Sequence, residues 1–200
     1  MTEWTPDVRE LADLELLLSG AFAPLTGFLT SAEAHAVAEH GRLPDGTPWP
    51  APIRITLPEE IRPGDRVTLK DPEGAPVAVM TVQERDGRYA AGPVEALERP
   101  SYGPFARLRR TPAEVRKELP DGEVLGVTMR GPLESTAIED IAATAEELDA
   151  AVVLLPLSFG ERGPAVVRAA LKAADALPGA MVVAVPLAPR ETPEIDLELR

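Results

Sequence analysis

The chain changes pattern between Tyr102 and Leu108, and that change limits the folds open to it. Upstream, short apolar–polar alternations are separated by turn residues, as in a small β-rich unit. Downstream, apolar runs alternate with helix-period stripes, the pattern of βα units around a parallel sheet. Helix and strand content on both sides of the break place the chain in the α+β class.

In the first part, Leu11 to Leu18 reads as a short apolar helix stopped by Gly20. A second helix is expected from a Ser31 cap to about His40, with Gly41 as its stop. Ile53 to Leu57, Arg66 to Lys70 and Ala75 to Glu84 alternate as half-buried strands do. Asp71-Pro72-Glu73-Gly74 suits a type I turn and so predicts a hairpin. Asp86-Gly87 marks a further turn.

In the second part, Thr111-Pro112-Ala113-Glu114 is a helix start: a cap, a proline in the first turn and a glutamate that returns to the cap. Val124 to Met129, Ala151 to Leu157 and Met181 to Leu187 read as buried strands. Pro132 to Leu148 and Gly163 to Leu177 read as the helices between them. This βαβαβ order predicts right-handed crossovers and a doubly wound sheet covered on both faces. Ligands of such sheets bind beyond the carboxyl ends of the strands. Here those ends are Thr128 to Gly131, Leu157 to Gly163 and Leu187 to Arg190. Thr192-Pro193-Glu194 has the pattern of another helix start, and three strands are few for a doubly wound sheet. The expectation is a piece of a longer architecture or a shortened relative of one.

Charge and composition exclude several classes. The formal net charge of -13 disfavours nucleic acid, whose phosphates would be repelled. With no cysteine, the chain has no disulfide frame, thiolate metal site or cysteine nucleophile. No apolar run approaches the roughly 20 residues that span a bilayer, and the N-terminus lacks the pattern of a signal peptide. A cytoplasmic location is expected. His35 and His40 stand five apart on one helix, where metal-binding pairs usually stand four apart, so a metal site is not expected. Arg107, Arg109 and Arg110 read as a solvated or interdomain segment. No phosphate-binding glycine motif or nucleophile elbow occurs.

Three blocks carry a family resemblance. Leu16 to Leu29, reading LLLSGAFAPLTGFL, is similar to the N-terminal signature of ATP sulfurylases, the sulfate adenylyltransferases. Arg42 to Pro50 and Leu69 to Val79 resemble the next two blocks of that family, and Thr111 to Arg116 resembles its domain junction. The resemblance implies a PUA-like β-barrel domain over residues 1–107. It implies a partial Rossmann-like α/β nucleotidyltransferase domain of three parallel strands over residues 108–200. The family joins ATP and sulfate into adenylyl sulfate and pyrophosphate.

After its first sheet strand the family carries a motif of the form Gln-x-Arg-Asn-Pro-x-His-x-x-His. The glutamine and arginine hold sulfate, and the histidines meet the ATP phosphates. This chain reads Thr128-Met129-Arg130-Gly131-Pro132-Leu133-Glu134-Ser135-Thr136-Ala137. Arg130, Pro132 and Leu133 match. Thr128 stands for the glutamine, Gly131 for the asparagine, Glu134 for the first histidine and Ala137 for the second. Thr128, Arg130, Gly131 and Glu134 are therefore the residues of a vestigial sulfate and ATP pocket, with ATP or adenylyl sulfate as its ligand class. Arg130 either binds an anion or pairs with Glu134 or Glu139. Glu134 is either a metal ligand or general base, or simply a carboxylate favoured at a helix start. The family's later Gly-Arg-Asp-His motif does not occur in these 200 residues.

Two functions remain open at this stage. One is a catalytically defective, sulfurylase-derived module, a pseudoenzyme that serves an adenylylsulfate kinase domain or subunit within a homo-oligomer. The other is an active sulfate adenylyltransferase completed by sequence or a subunit outside this chain.

Overall fold

A computed structural model describes residues 2–98 and 102–189. They fall into two compact units: residues up to Tyr102 together with Ala188 and Pro189, and residues 103–187. The helix start read at Thr192 lies outside the described residues.

The first unit opens with strand β1 (Thr2–Trp4) and helix α1 (Val8–Ser19). Asp7 caps α1 by accepting from the backbone N–H groups of Arg9 and Glu10, and the Glu10 carboxylate accepts from the Asp7 N–H in return. Gly20, left-handed, ends the helix. Leu11, Leu14 and Leu17 share the face that enters the core. Strand β2 (Gly27–Phe28) leads to α2 (Ser31–His40). The cap of α2 is Thr30, not the expected Ser31, because Thr30 and Glu33 form a reciprocal capping box.

Five further strands complete the sheet: β3 (Ile55–Thr56), β4 (Arg66–Lys70), β5 (Pro76–Thr81), β6 (Glu84–Asp86) and β7 (Tyr89–Ala96). The order is β1-β4-β5-β7-β2, with β3 and β6 also on β7. The expected strand from Ile53 to Leu57 pairs over only two residues, and the expected run from Ala75 to Glu84 divides into β5 and β6. The β4–β5 hairpin turns through Asp71 to Gly74 as read from the sequence. Gly74 N–H donates to the Asp71 carbonyl at 3.0 Å, and the Asp71 carboxylate accepts from the N–H groups of Glu73 and Ala75.

Strand β7 is the hub. Its first half pairs with β3 and β6, its second half with β2 and β5. The change of partners falls at Gly92-Pro93, where Gly92 has φ +148°. Leu14, Ile55, Val67, Leu69 and Met80 fill the core beneath, each essentially without solvent exposure.

One carboxylate in this core side carries a pH dependence. Glu10 is buried and accepts from the Thr56 N–H at 2.5 Å. Burial raises its pKa, partly offset by the backbone donors of Asp7 and Thr56. A folded-state pKa above the unfolded value means that the protonated form is the one favoured by folding. Stability should therefore rise as pH falls from neutral through the raised value, until the unfolded chain is protonated too. Unfolding midpoints across that window, compared between the native chain and Glu10→Gln, should show this component vanish in the variant.

The second unit begins with a 3₁₀ turn at Ala106–Leu108 and helix α3 (Pro112–Glu118), capped by Thr111 and Glu114 as the sequence predicts. Strands β8 (Val124–Met129), β9 (Ala151–Pro156) and β10 (Met181–Val182) form a parallel sheet in the order β10-β9-β8. Helices α4 (Ser135–Leu148) and α5 (Gly163–Ala174) connect them. The expected start of α4 at Pro132 moves to Ser135, because residue 134 is still extended.

Met129 and Leu154 pack with Val166, Ala170 and Ala173 of α5, and Ile138 and Ile141 of α4 join the same cluster. Along β8 the other face is open: Val124, Gly126 and Thr128 are exposed. The expected cover on both faces is thus absent at β8. Two right-handed crossovers stepping the same way across a sheet place both helices on one side.

Candidate functional site

Backbone geometry assembles the carboxyl ends of the three strands. The Leu157 N–H donates to the Met129 carbonyl at 2.8 Å, and the Ser158 N–H donates to the Val185 carbonyl at 2.8 Å. The stretch from Thr128 to Glu134 and the loop from Ser158 to Gly163 therefore leave the sheet at the same end. The second loop is tight. A Cβ on Gly163 would stand 2.0 Å from the Ser158 carbonyl oxygen, so only glycine lets α5 start there.

Thr128 is exposed at the end of β8, Met129 is buried beneath it, and Arg130 is exposed beyond it. Gly131 is half-buried, with open space where a side chain would begin. Glu134 occupies the N-cap of α4, but its carboxylate makes no capping hydrogen bond. The structure thus brings the four sequence-read residues to one strand–helix junction. It joins none of them to another: no ion pair links Arg130 to Glu134 or to Glu139 among the described residues.

This junction can offer an anion a guanidinium and the first N–H groups of α4. It also places a carboxylate where negative charge is favoured by the helix but opposed by any phosphate. At about 4 Å, like charges cost about 1 to 4 kcal/mol between the dielectric of water and that of a protein surface. Ala137, the residue in register with the second histidine of the resembled motif, supplies only a methyl group.

Other sequence candidates resolve differently. Arg110 is bound to Glu118 through two hydrogen bonds, one of 2.8 Å, and lies 3.7 Å from the Met181 sulfur. That guanidinium holds the Glu118 carboxyl below its usual range. His35 and His40 both reach the Glu39 carboxylate, at 3.3 and 3.6 Å. The block from Pro24 to Thr30 lines a cavity of about 580 Å³ in the first unit, together with Leu43 to Asp45 and Gly92-Pro93. Its lining holds Glu33 and Asp45 and no cationic side chain, so it suits neither sulfate nor phosphate. Sequence reading did not point to this cavity, because its walls come from segments far apart in the chain.

Comparison with known proteins agrees with the resemblance read from the sequence blocks. Residues 1–96 match the family model for the PUA-like domain. The chain is 29% identical over 190 residues to a sulfate adenylyltransferase of Saccharomyces cerevisiae, a match over 77% of this chain and 37% of that protein. It is 34% identical over 187 residues to a sulfate adenylyltransferase of Symbiobacterium thermophilum, covering 76% of this chain and 47% of that protein. The chain therefore spans less than half the length of these relatives. A solved structure described as a hexameric APS kinase from Thiobacillus denitrificans superposes with a TM-score of 0.82 and 31% identity, covering 100% of this chain and 44% of the other.

Proposed function

We propose that this chain, a relative of the sulfate adenylyltransferases with a PUA-like domain in residues 1–96, is a sulfate-assimilation module whose own phosphate pocket is degenerate. Its second unit is read as part of a Rossmann-like nucleotidyltransferase domain, and Thr128, Arg130, Gly131 and Glu134 as the remnant of a sulfate and ATP pocket. Its role is structural or regulatory, in the service of an adenylylsulfate kinase domain or subunit, within a cytoplasmic homo-oligomer. The likeness to a chain described as an APS kinase supports that partner.

The observation that carries this reading is the junction of β8 and α4. There the residues aligned with two phosphate-binding imidazoles are a carboxylate without a capping bond and a methyl group. A pocket for a triphosphate needs donors at that point, and this one presents an acceptor.

The relatives' printed activity supports a second reading: a sulfate adenylyltransferase completed by sequence or a subunit beyond this chain. Pyrophosphate release from ATP and sulfate separates the two. The defective module should release none above background. Turnover that Arg130→Ala abolishes would establish the second reading instead.

A further inference from the structure

We propose that the cavity of about 580 Å³ in the first unit binds a small organic cation, an ammonium group carried on an apolar body. The β8–α4 junction belongs to the other unit, so the proposal stands whether or not that junction is active.

Two of the blocks that carry the family resemblance meet at this cavity: Pro24 to Leu29 of the first and Leu43 to Asp45 of the second. The chemistry assigned to the junction uses neither of them. Backbone pairing sets the wall between them and β7. Gly27 pairs with Pro93, and Phe28 with Gly92. A Cβ on Gly27 would stand 2.0 Å from the Gly92 carbonyl oxygen, so glycine is what lets β2 and β7 close. A site walled by paired strands is formed before its ligand arrives, and this volume is that of a small-molecule site.

The sign of the ligand follows from the polar groups. Glu33 and Asp45 line the cavity, and no lysine, arginine or histidine does. Arg42, next to the wall in sequence, donates to the Gly46 carbonyl at 3.1 Å. The start of α2 would otherwise offer N–H groups to an anion. Those of Thr30 and Ser31 already donate to the carboxylates of Glu33 and Glu84, and that of Glu33 donates to the Thr30 hydroxyl. Both bonds that Glu33 accepts fall on Oε2, which leaves Oε1 without a partner among the described residues. The Thr47 N–H holds the Asp45 carboxyl below its usual range, so it is ionised at neutral pH. Donors are spent here and charged acceptors remain, which selects a cationic N–H group. Leu25, Pro44 and Pro93 supply apolar wall for an organic body.

Other ligands fit less well. An anion meets two carboxylates and no free donor. A neutral apolar molecule would cover those carboxylates without pairing them. A metal ion has no use for the apolar wall, and no group of three metal-ligating side chains occurs among the described residues.

The test titrates the full chain with benzylamine, protonated at neutral pH, and follows the backbone amide signals of Gly27 and Gly92 by NMR. Binding is expected at about 1 mM or tighter. Benzyl alcohol should bind about tenfold or more weakly, and benzoate should leave both signals in place. Glu33→Gln with Asp45→Asn should weaken benzylamine about tenfold or more. Each amide keeps the acceptor of the group it replaces, so the cap of α2 and the turn at Thr47 survive, and melting curves check this. Gln83→Trp, at an exposed position of the lining, should abolish binding by filling the space. The exposed pair outside the cavity, Glu59→Gln with Glu60→Gln, should change affinity by less than about twofold. No shift with benzylamine, equal affinity for benzyl alcohol, native affinity in the Glu33 and Asp45 variant, or equal loss in the outside pair would each overturn the proposal.

Discussion

Gly92→Ala is expected to destabilise the first unit by about 3 kcal/mol or more, from two costs at one position. The first is conformational: at φ +148° an L side chain is strained. The second is steric. A Cβ at Gly92 would stand 2.0 Å from the Thr81 carbonyl oxygen and 3.1 Å from the Gln83 nitrogen, both backbone atoms that cannot swing aside. Relief requires β7 to move from β5 and β6 at the point where it changes partners. Gly64→Ala is the control. Gly64 also has positive φ, +97°, but nothing lies within 4 Å of its added Cβ. Its cost should stay near about 1 to 2 kcal/mol. Urea unfolding of both variants separates strain from clash. Equal midpoints would mean that the sheet accommodates the Cβ and that Gly92 is no fixed corner.

Pyrophosphate release is the second large effect. It is expected at least about a thousandfold below that of an enzyme with both imidazoles in place. Loss of one preorganised donor alone costs about 2.7 to 4 kcal/mol of transition-state stabilisation. On the proposed reading two donors are replaced here, and Glu134 adds repulsion. The same argument predicts a gain on reversal. Glu134→His with Ala137→His should tighten ATP binding by about tenfold or more, because each imidazole restores a donor and one substitution removes a charge. Calorimetric titration with ATP reads this directly, without requiring turnover. Unchanged affinity in the double variant would remove the basis for calling the pocket degenerate.

Parts of this architecture are legible in the sequence because the local signals agree. β4 and β8 have the boundaries their apolar patterns imply. The turn at Asp71 to Gly74 and the start of α3 follow from residue types with fixed backbone preferences. β7 was not legible. Tyr89 to Ala96 contains Ala90-Ala91-Gly92-Pro93, without a β-branched residue until Val94, and its glycine and proline look like loop punctuation. Only the tertiary pairing shows that they form a corner. The cap of α2 was misplaced although Thr30 to Glu33 holds the necessary spacing, since Thr30 and Ser31 compete and only the glutamate decides. The residues alone place the start of α4 too early, because proline at a first helical turn is common. The open face of β8 was missed because an apolar run does not say how many of its sides are covered. The candidate site came from the blocks of resemblance, which fix chain positions.

The position of the hub strand in the chain has a consequence during synthesis. Four strands of the first unit bond to the segment that leaves the ribosome after all of them. Until about residue 96 has emerged, those strands lack their common partner and expose unpaired edges. A nascent chain that stalls before this point has nearly all the residues of the domain and little of its closure. Such a chain is a natural client for chaperones.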